Sequence, residues 1–151
     1  MSELKDRLRS DLTDAIRGRD EVATATLRMA LAAITTEEVA GSDARELSDD
    51  EVLKVLARES KKRREAAEAF GSAGREELAE REQAEGRVLE RYLPTQLDDA
   101  AVSELVAAAI AETGATGMRQ MGAVMRVAQQ KAAGQADGKR LSTEVRRQLA
   151  G

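Results

Sequence analysis

Residues 88–98 read VLERYLPTQLD, and this segment divides the chain because it holds the only proline, Pro94. Proline has no backbone N–H and disfavours the helical conformation of the residue before it, here Leu93. A helix that arrives from the N-terminal side should therefore end at this point. Asp98 follows and is a typical N-cap for a new helix. The segment predicts a boundary between two domains, directly before the proline.

The N-terminal domain, residues 1–93, carries the caps and apolar spacing of four helices. Ser48 and Glu51 form a capping box that opens the third helix, and the fourth is a highly charged helix over about residues 75–92. The N-caps of the first two helices are Ser2 and Asp20. The apolar positions that we expect in the core include Leu4, Leu8, Leu12, Ile16, Leu27, Ile34, Val52, Leu56, Leu78, Val88 and Leu89.

The C-terminal domain, residues 94–151, is predicted to contain three helices. Asp98 caps the first of them and Gly114 ends it in a left-handed conformation. Thr116 caps the next, which Gly134 closes. Three methionines of this helix have the spacing of core residues, although they would also suit a docking groove: Met118, Met121 and Met125. Two glycines, Gly117 and Gly122, would allow a neighbouring helix to pack closely.

The end of the chain should form a turn and a last helix. Residues 135–138 read QADG, which favours a tight turn with Gly138 at positive φ, and the helix is expected to start near Ser142. We interpret Asp137–Gly138–Lys139 as part of this turn and not as a ligand loop. The predicted fold class is all-α: a two-part multihelical protein with an N-terminal helical bundle and a smaller C-terminal helical domain.

Composition excludes several classes of enzyme. The chain of 151 residues contains no Cys and no His, so thiolate nucleophiles, imidazole bases and imidazole or thiolate metal ligands are absent. No catalytic residue, cofactor or metal site is predicted. The charged N-terminal segment MSELKDRLRS lacks a signal-peptide core, and no apolar run is long enough to cross a bilayer. We therefore expect a cytoplasmic protein without a membrane partner.

Positive charge gathers at the C-terminal end. Residues 114–151 carry seven basic and two acidic side chains, a net +5, so the other residues carry −9 of the total of −4. A basic end on an acidic chain suggests a polyanionic partner, and an ordinary solvated face is the alternative. The candidate RNA-binding residues are Arg119, Arg126, Lys139, Arg140, Arg146 and Arg147. Helix N-termini predicted near Thr116 and Ser142 would also favour anions.

Three other polar features are more simply explained by structure. The basic cluster Arg58–Arg64 is expected to pair with Glu65 and Glu68 on a solvated helix face. The acidic stretch Glu76–Glu90 contains interleaved arginines, which favours pairing within the helix over a metal site. Tyr92 should be wedged between the two domains, with its hydroxyl hydrogen-bonded near the hinge at Pro94.

Six ordered segments resemble the YqeY family, the stand-alone relatives of the C-terminal tail domain of the amidotransferase subunit GatB. They are 26–29 (TLRM), 62–65 (KRRE), 73–78 (AGREEL), 89–97 (LERYLPTQL), 121–125 (MGAVM) and 136–139 (ADGK). The chain departs from the family pattern at Thr35 and Thr36, where Lys and Asn are common, and at 127–131, where a Met-Pro-Lys element is usual.

The resemblance implies a two-part helical fold and contact with tRNA. Its candidate partners are tRNA, an amidotransferase or an aminoacyl-tRNA synthetase, and DNA is not expected. Relatives often carry the label of a carbon–nitrogen ligase with glutamine as amido-N-donor, but the residues needed for independent activity are missing here. Three hypotheses follow: a non-catalytic RNA-binding accessory, a protein–protein adaptor, and an enzyme of amide transfer. The first is preferred.

Overall fold

A computed structural model describes residues 2–151, and this range folds into seven α-helices and one 3₁₀-helix without any strand. The prediction of an all-α protein is therefore confirmed. The 3₁₀-helix, Met118–Gln120, lies between the fifth and sixth α-helices. The α-helices are α1 (Glu3–Arg17), α2 (Glu21–Glu38), α3 (Asp49–Ser72), α4 (Glu76–Glu90), α5 (Asp99–Thr113), α6 (Met121–Ala132) and α7 (Gly138–Ala150).

The helices group into two compact units, of which the first ends at Leu93 and the second is Pro94–Gly151. Each unit has its own hydrophobic core. The first core is built by α1 to α4 and the second by α5 to α7.

Caps set the helix starts of the first unit. The Ser2 side chain accepts a hydrogen bond from the Lys5 N–H, and the Asp20 carboxylate accepts one from the Ala23 N–H. Ser48 and Glu51 form the reciprocal capping box expected from the sequence. These local contacts place the first three helix starts where the sequence predicts them.

The core of the first unit differs from the predicted apolar stripe at two positions. Ile16 is 48% exposed and Leu78 is 40% exposed. Residues four apart on an α-helix differ in direction by about 40° around its axis. Ile16 is eight residues after the buried Leu8, so its side chain has turned by about 80° towards solvent. In α4 the buried line runs through Ala79 and Leu89, and Leu78 lies beside it. The fully buried large side chains of the unit are Leu8, Leu27, Ile34, Leu47, Leu56, Leu89 and Val52.

Tyr92 is buried, but its hydroxyl makes its hydrogen bond to α1 of the first unit and not near Pro94. It donates to Asp11 Oδ2 of α1, and the Arg7 guanidinium lies 4.8 Å from the ring centroid. A buried hydroxyl needs a polar partner, and the carboxylate of α1 provides it. Burial and this hydrogen bond raise the pKa of Tyr92 far above its ordinary value.

The start of the second unit agrees with the sequence. The Asp98 carboxylate accepts from the Ala101 N–H, and Gly114 ends α5 with φ of 68°. α6 then begins at Met121 after the 3₁₀-helix, so Thr116 is not its cap. The reason is Gln120, whose side-chain oxygen accepts from the backbone N–H groups of Thr116 and Gly117 and holds this segment in a separate turn.

The last helix begins earlier than predicted, at Gly138 and not near Ser142. The Asp137 carboxylate caps it by accepting from the Arg140 N–H at 2.8 Å, which draws the Gly138 backbone into the helix. The left-handed residues lie upstream, at Ala133 (φ 47°) and Gly134 (φ 82°), which together end α6. Gly138 is therefore not the positive-φ residue of the turn.

The methionines and glycines of the second unit also depart from expectation. Met121 and Met125 pack against the core as predicted, but Met118 is 47% exposed because it belongs to the 3₁₀-helix. No atom lies within 4 Å of the position that a Cβ would occupy at Gly117 or Gly122. Within the described residues, these glycines therefore do not serve close helix packing.

Candidate nucleic-acid interface

One side of α7 is cationic and faces solvent. Leu141 and Val145 are buried in the second core. Lys139, Thr143 and Arg146 follow the i, i+4, i+7 spacing on the exposed side. The two cations are therefore carried by the helix face that does not pack.

The same arrangement occurs on α6. Val124, Ala128 and Ala132 are buried against α5 and α7, and Arg126 lies on the exposed side with Gln129. Arg119 is exposed in the 3₁₀-helix, seven residues before Arg126. The cations of both elements thus point away from the core of the second unit.

Four of the six predicted residues are both exposed and unpaired. In the part of the chain that the structure describes, the side chains of these four residues make no ion pair and no hydrogen bond: Arg119, Arg126, Lys139 and Arg146. We call these four side chains the α6–α7 cationic face. Their charge is available to an anionic partner without first breaking an internal contact.

The other two predicted residues are tied to carboxylates. Arg140 Nη2 lies 3.0 Å from Asp99 Oδ1 at the start of α5. Arg147 donates through Nε and Nη2 to Glu144, which holds the pKa of this carboxyl at about 2. Both arginines lie on the side of α7 that faces α5, where Gln148 also bonds to Ser103. The structure therefore leaves four of the six candidate cations unpaired and pairs the other two with carboxylates.

The helix dipole does not account for a lysine at position 139. It lies in the first turn of α7, where the helix dipole disfavours cations. Arg140 in the same turn is compensated by Asp99, and Asp137 caps the helix, but Lys139 has no partner of its own within residues 2–151. The position of this charge is consistent with a contact outside the chain.

The anion sites expected at helix N-termini are not formed as predicted. Neither Thr116 nor Ser142 begins a helix, and the N-terminus of α7 is capped by the Asp137 carboxylate. The negative cap occupies one of the backbone donors that an anion would use, and its charge disfavours a second anion there. The cationic side chains, not the helix ends, are therefore the candidate anion-binding groups of this unit.

Three cations of the basic cluster in the first unit pair with carboxylates other than Glu65 and Glu68. Arg58 pairs with Glu37 at 3.3 Å, and Lys62 with Glu59 at 3.3 Å. Arg63 lies between α3 and α4, with Nε 3.1 Å from Glu85 Oε2 and the carboxylates of Glu59 and Glu82 at 3.7 and 3.6 Å. Its side chain is only 14% exposed, so it joins the two helices and is not a free cation.

The acidic helix α4 uses its carboxylates for these contacts. Arg81 pairs with Glu85 within the helix, as predicted, whereas Glu82 and Glu85 also pair with Arg63 of α3. Arg63 and the glutamates of α4 are about 20 residues apart in sequence, so the spacing of residues along one helix does not predict this contact. Over the described range, no group of three or more carboxylates is placed to hold a metal ion. In the same range, no helix has the length and apolarity to span a membrane.

Comparison with known proteins places these features in a family. The chain matches the family model YqeY, described as Yqey-like protein, over residues 5–149. It is 34% identical over 88 residues to an uncharacterized protein of Schizosaccharomyces pombe, covering 58% of this chain and 69% of that protein.

A second relative is named altered inheritance of mitochondria protein 41, mitochondrial, from Meyerozyma guilliermondii. The identity is 35% over 86 residues, which cover 57% of this chain and 44% of that relative, so the match spans less than half of its length. Since the family model covers nearly the whole sequence, the chain described here belongs to the YqeY family.

Proposed function

We propose that this protein is a non-catalytic RNA-binding accessory whose ligand is tRNA and whose role is linked to glutamine-dependent tRNA amidation. The observation that carries the proposal is the α6–α7 cationic face, four exposed and unpaired cations on α6, α7 and the 3₁₀-helix that precedes α6. The family resemblance supplies the link to tRNA amidation.

Phosphate contact is the chemistry that these side chains support best. Arginine and lysine on a helix surface bind phosphate oxygens and release condensed counterions, which gives affinity without sequence choice. Four such contacts are at the low end for nucleic-acid proteins, so binding should be modest, with Kd on the order of 10⁻⁴ to 10⁻⁶ M at physiological salt.

The test is tRNA binding measured by anisotropy over a salt series. With four phosphate contacts, log K against log salt should have a slope of about −3, between the values for single strands and duplexes. The double substitution Arg126→Glu and Arg146→Glu should remove most of the affinity. Arg28→Glu is the matched control, because Arg28 is an exposed and unpaired cation of the first unit. Salt-insensitive binding, or an equal loss in the control, contradicts the proposal.

Amide transfer by the chain alone is not part of the proposal. Without Cys or His, the sequence lacks the usual nucleophiles and bases for releasing ammonia from glutamine. Purified protein should not convert Glu-tRNA or Asp-tRNA in the presence of glutamine, and should bind tRNA under the same conditions. Turnover by the isolated chain, free of amidotransferase subunits, would refute a non-catalytic role.

A protein–protein adaptor is the second candidate, and the exposure of Met118 favours it. This side chain is 47% exposed at the end of the cationic face, next to Arg119. An adaptable apolar side chain beside cations suits an acidic protein surface as well as RNA. Recovery of an amidotransferase subunit or a synthetase that survives ribonuclease treatment supports the adaptor. The cytoplasmic location remains a prediction, to be checked by fractionation.

A further inference from the structure

The α6–α7 cationic face has a regular geometry. Lys139 and Arg146 are seven residues apart on α7, which places their Cα atoms about 10 Å apart along nearly the same line of the helix. Arg119 and Arg126 have the same separation in sequence along the 3₁₀-helix and α6. The four cations therefore form two rows of two.

The two rows lie side by side. Residues 133–137 form a short link that returns the chain from α6 to α7, and the two helices pack on each other. The position of a Cβ at Gly138 would lie 3.9 Å from Gln129 Nε2, so the end of α6 meets the start of α7. Packed helices are about 8–10 Å apart, which is close to the length of the row formed by Lys139 and Arg146.

Helix geometry places both rows on the solvent side. Counting about 100° per residue, Lys139 and Arg146 lie on the exposed surface of α7, opposite the buried Leu141 and Val145. The same count places Arg126 on the outer surface of α6, next to Gln129. Two neighbouring packed helices thus each present a row of cations to solvent.

We infer that the α6–α7 cationic face binds the two strands of an RNA double helix, with one row of cations on each strand. This inference rests on the proposed RNA-binding function and names the form of RNA that the site takes. A duplex presents two lines of phosphates, one for each row. An extended single strand presents one line, which leaves the second row without phosphates.

Composition supports a paired ligand. Proteins that bind single strands stack bases on aromatic side chains. The second unit has no aromatic residue, because Phe70 and Tyr92 both precede Pro94. Bases that remain stacked and paired need no such platform, and recognition is left to phosphates and sugars.

Gln129 is placed to distinguish RNA from DNA. It is exposed on α6, three residues after Arg126, and its Nε2 lies 3.9 Å from the Cβ position of Gly138, the neighbour of Lys139; its amide has no hydrogen-bond partner among the described residues. An amide both donates and accepts hydrogen bonds, and so does a ribose 2′-hydroxyl. The wide minor groove of an RNA helix exposes these hydroxyls beside the phosphates.

The experiment compares four labelled probes on the full chain by anisotropy. They are tRNA, an RNA duplex of about 16 base pairs, the DNA duplex of the same sequence, and one RNA strand alone. We expect the RNA duplex to bind most tightly, with a salt slope of about −3.6 for four contacts, against about −1.4 for a strand that engages one row. A single strand that binds as tightly as the duplex overturns the inference.

Two amide variants isolate the choice of RNA over DNA. Gln129→Ala should weaken RNA-duplex binding several-fold, leave DNA-duplex binding unchanged, and leave the salt slope as it was. Gln130→Ala is the control, because Gln130 is exposed on α6 but is turned away from α7. An unchanged RNA-to-DNA ratio in Gln129→Ala overturns the role of this residue.

The outcomes separate the two proposals. Absence of binding to tRNA and to every other probe removes the proposed function, and the inference with it. Binding to tRNA without preference for the RNA duplex removes the inference alone.

Discussion

The two units differ in how their most notable cations are placed. In the first unit, two cations are nearly buried among carboxylates: Arg63 joins α3 to α4 through Glu82 and Glu85, and Lys5 bonds to Glu38 at 2.7 Å. In the second unit, four cations remain unpaired on an exposed face. The difference indicates that charge stabilises the fold of the first unit, whereas in the second it is available to a partner.

The largest expected effect tests the structural half of this comparison. Arg63→Ala leaves the glutamates of α3 and α4 facing each other without their shared cation, and should lower the free energy of unfolding by about 2–3 kcal/mol. Urea unfolding followed by Tyr92 fluorescence reports on the first unit, since it holds the only tyrosine.

Arg146→Ala is the reciprocal control. It removes an unpaired cation and should change the free energy of unfolding by less than about 0.5 kcal/mol. It should weaken tRNA binding and reduce the salt slope by about one. Equal destabilisation by the two substitutions would break the comparison.

Tyr92→Phe should have the next largest effect. It removes a buried hydroxyl that donates to Asp11, and the expected loss is about 1 kcal/mol, because Asp11 keeps Arg7 as a partner at 3.8 Å. Thermal unfolding followed by circular dichroism measures it. Unchanged tRNA binding by the folded variant would confirm that this contact is structural only.

Glu144→Gln converts a paired cation into a free one. Arg147 loses its carboxylate partner, and the net charge of α7 rises by one. We expect tRNA binding to strengthen by a few-fold, with a salt slope steeper by about 0.7–0.9. Weaker or unchanged binding would show that free charge on this helix does not limit the contact.

The smallest effect concerns acid stability. Hydrogen bonds from Arg45 hold the pKa of Glu51 at about 2, and those from Arg147 do the same for Glu144. A carboxyl whose pKa is lower in the folded state stabilises the protein above its unfolded pKa of 4.5, and this stability is lost as the pH falls towards 2. Both groups are near solvent, so the effect should be small.

Thermal melts between pH 5 and about 2 measure this dependence. Glu51→Gln and Glu144→Gln should each reduce the fall in the melting temperature over this window. An unaltered pH profile in both variants would show that other carboxylates control acid unfolding.

The sequence predicts local structure well because its signals are local. Ser2, Asp20, Ser48 and Asp98 each bond to a backbone N–H three residues ahead, so a cap and its helix can be recognised together. The sequence does not fix the start of α7, because Asp137 and Ser142 can both cap a helix. The packing of Leu141 into the core selects Asp137, four residues before it.

The candidate site was less predictable because charge pairing is partly long-range. The contact of Arg147 with Glu144 is three residues apart and could be recognised by helix spacing. The contact of Arg140 with Asp99 joins residues far apart in the chain and requires the fold. For the same reason, the sequence indicated a solvated cluster where Arg63 in fact lies between helices.

The backbone of Ala133 and Gly134 has a consequence for the variation of this surface. Both residues adopt left-handed conformations, and Ala133 does so at a cost of about 1–2 kcal/mol because it has a Cβ. The chain reversal that sets the register of α6 against α7 thus depends on main-chain torsions and not on the arginines or lysines. Surface side chains are free to diverge among relatives while the scaffold that spaces them stays the same.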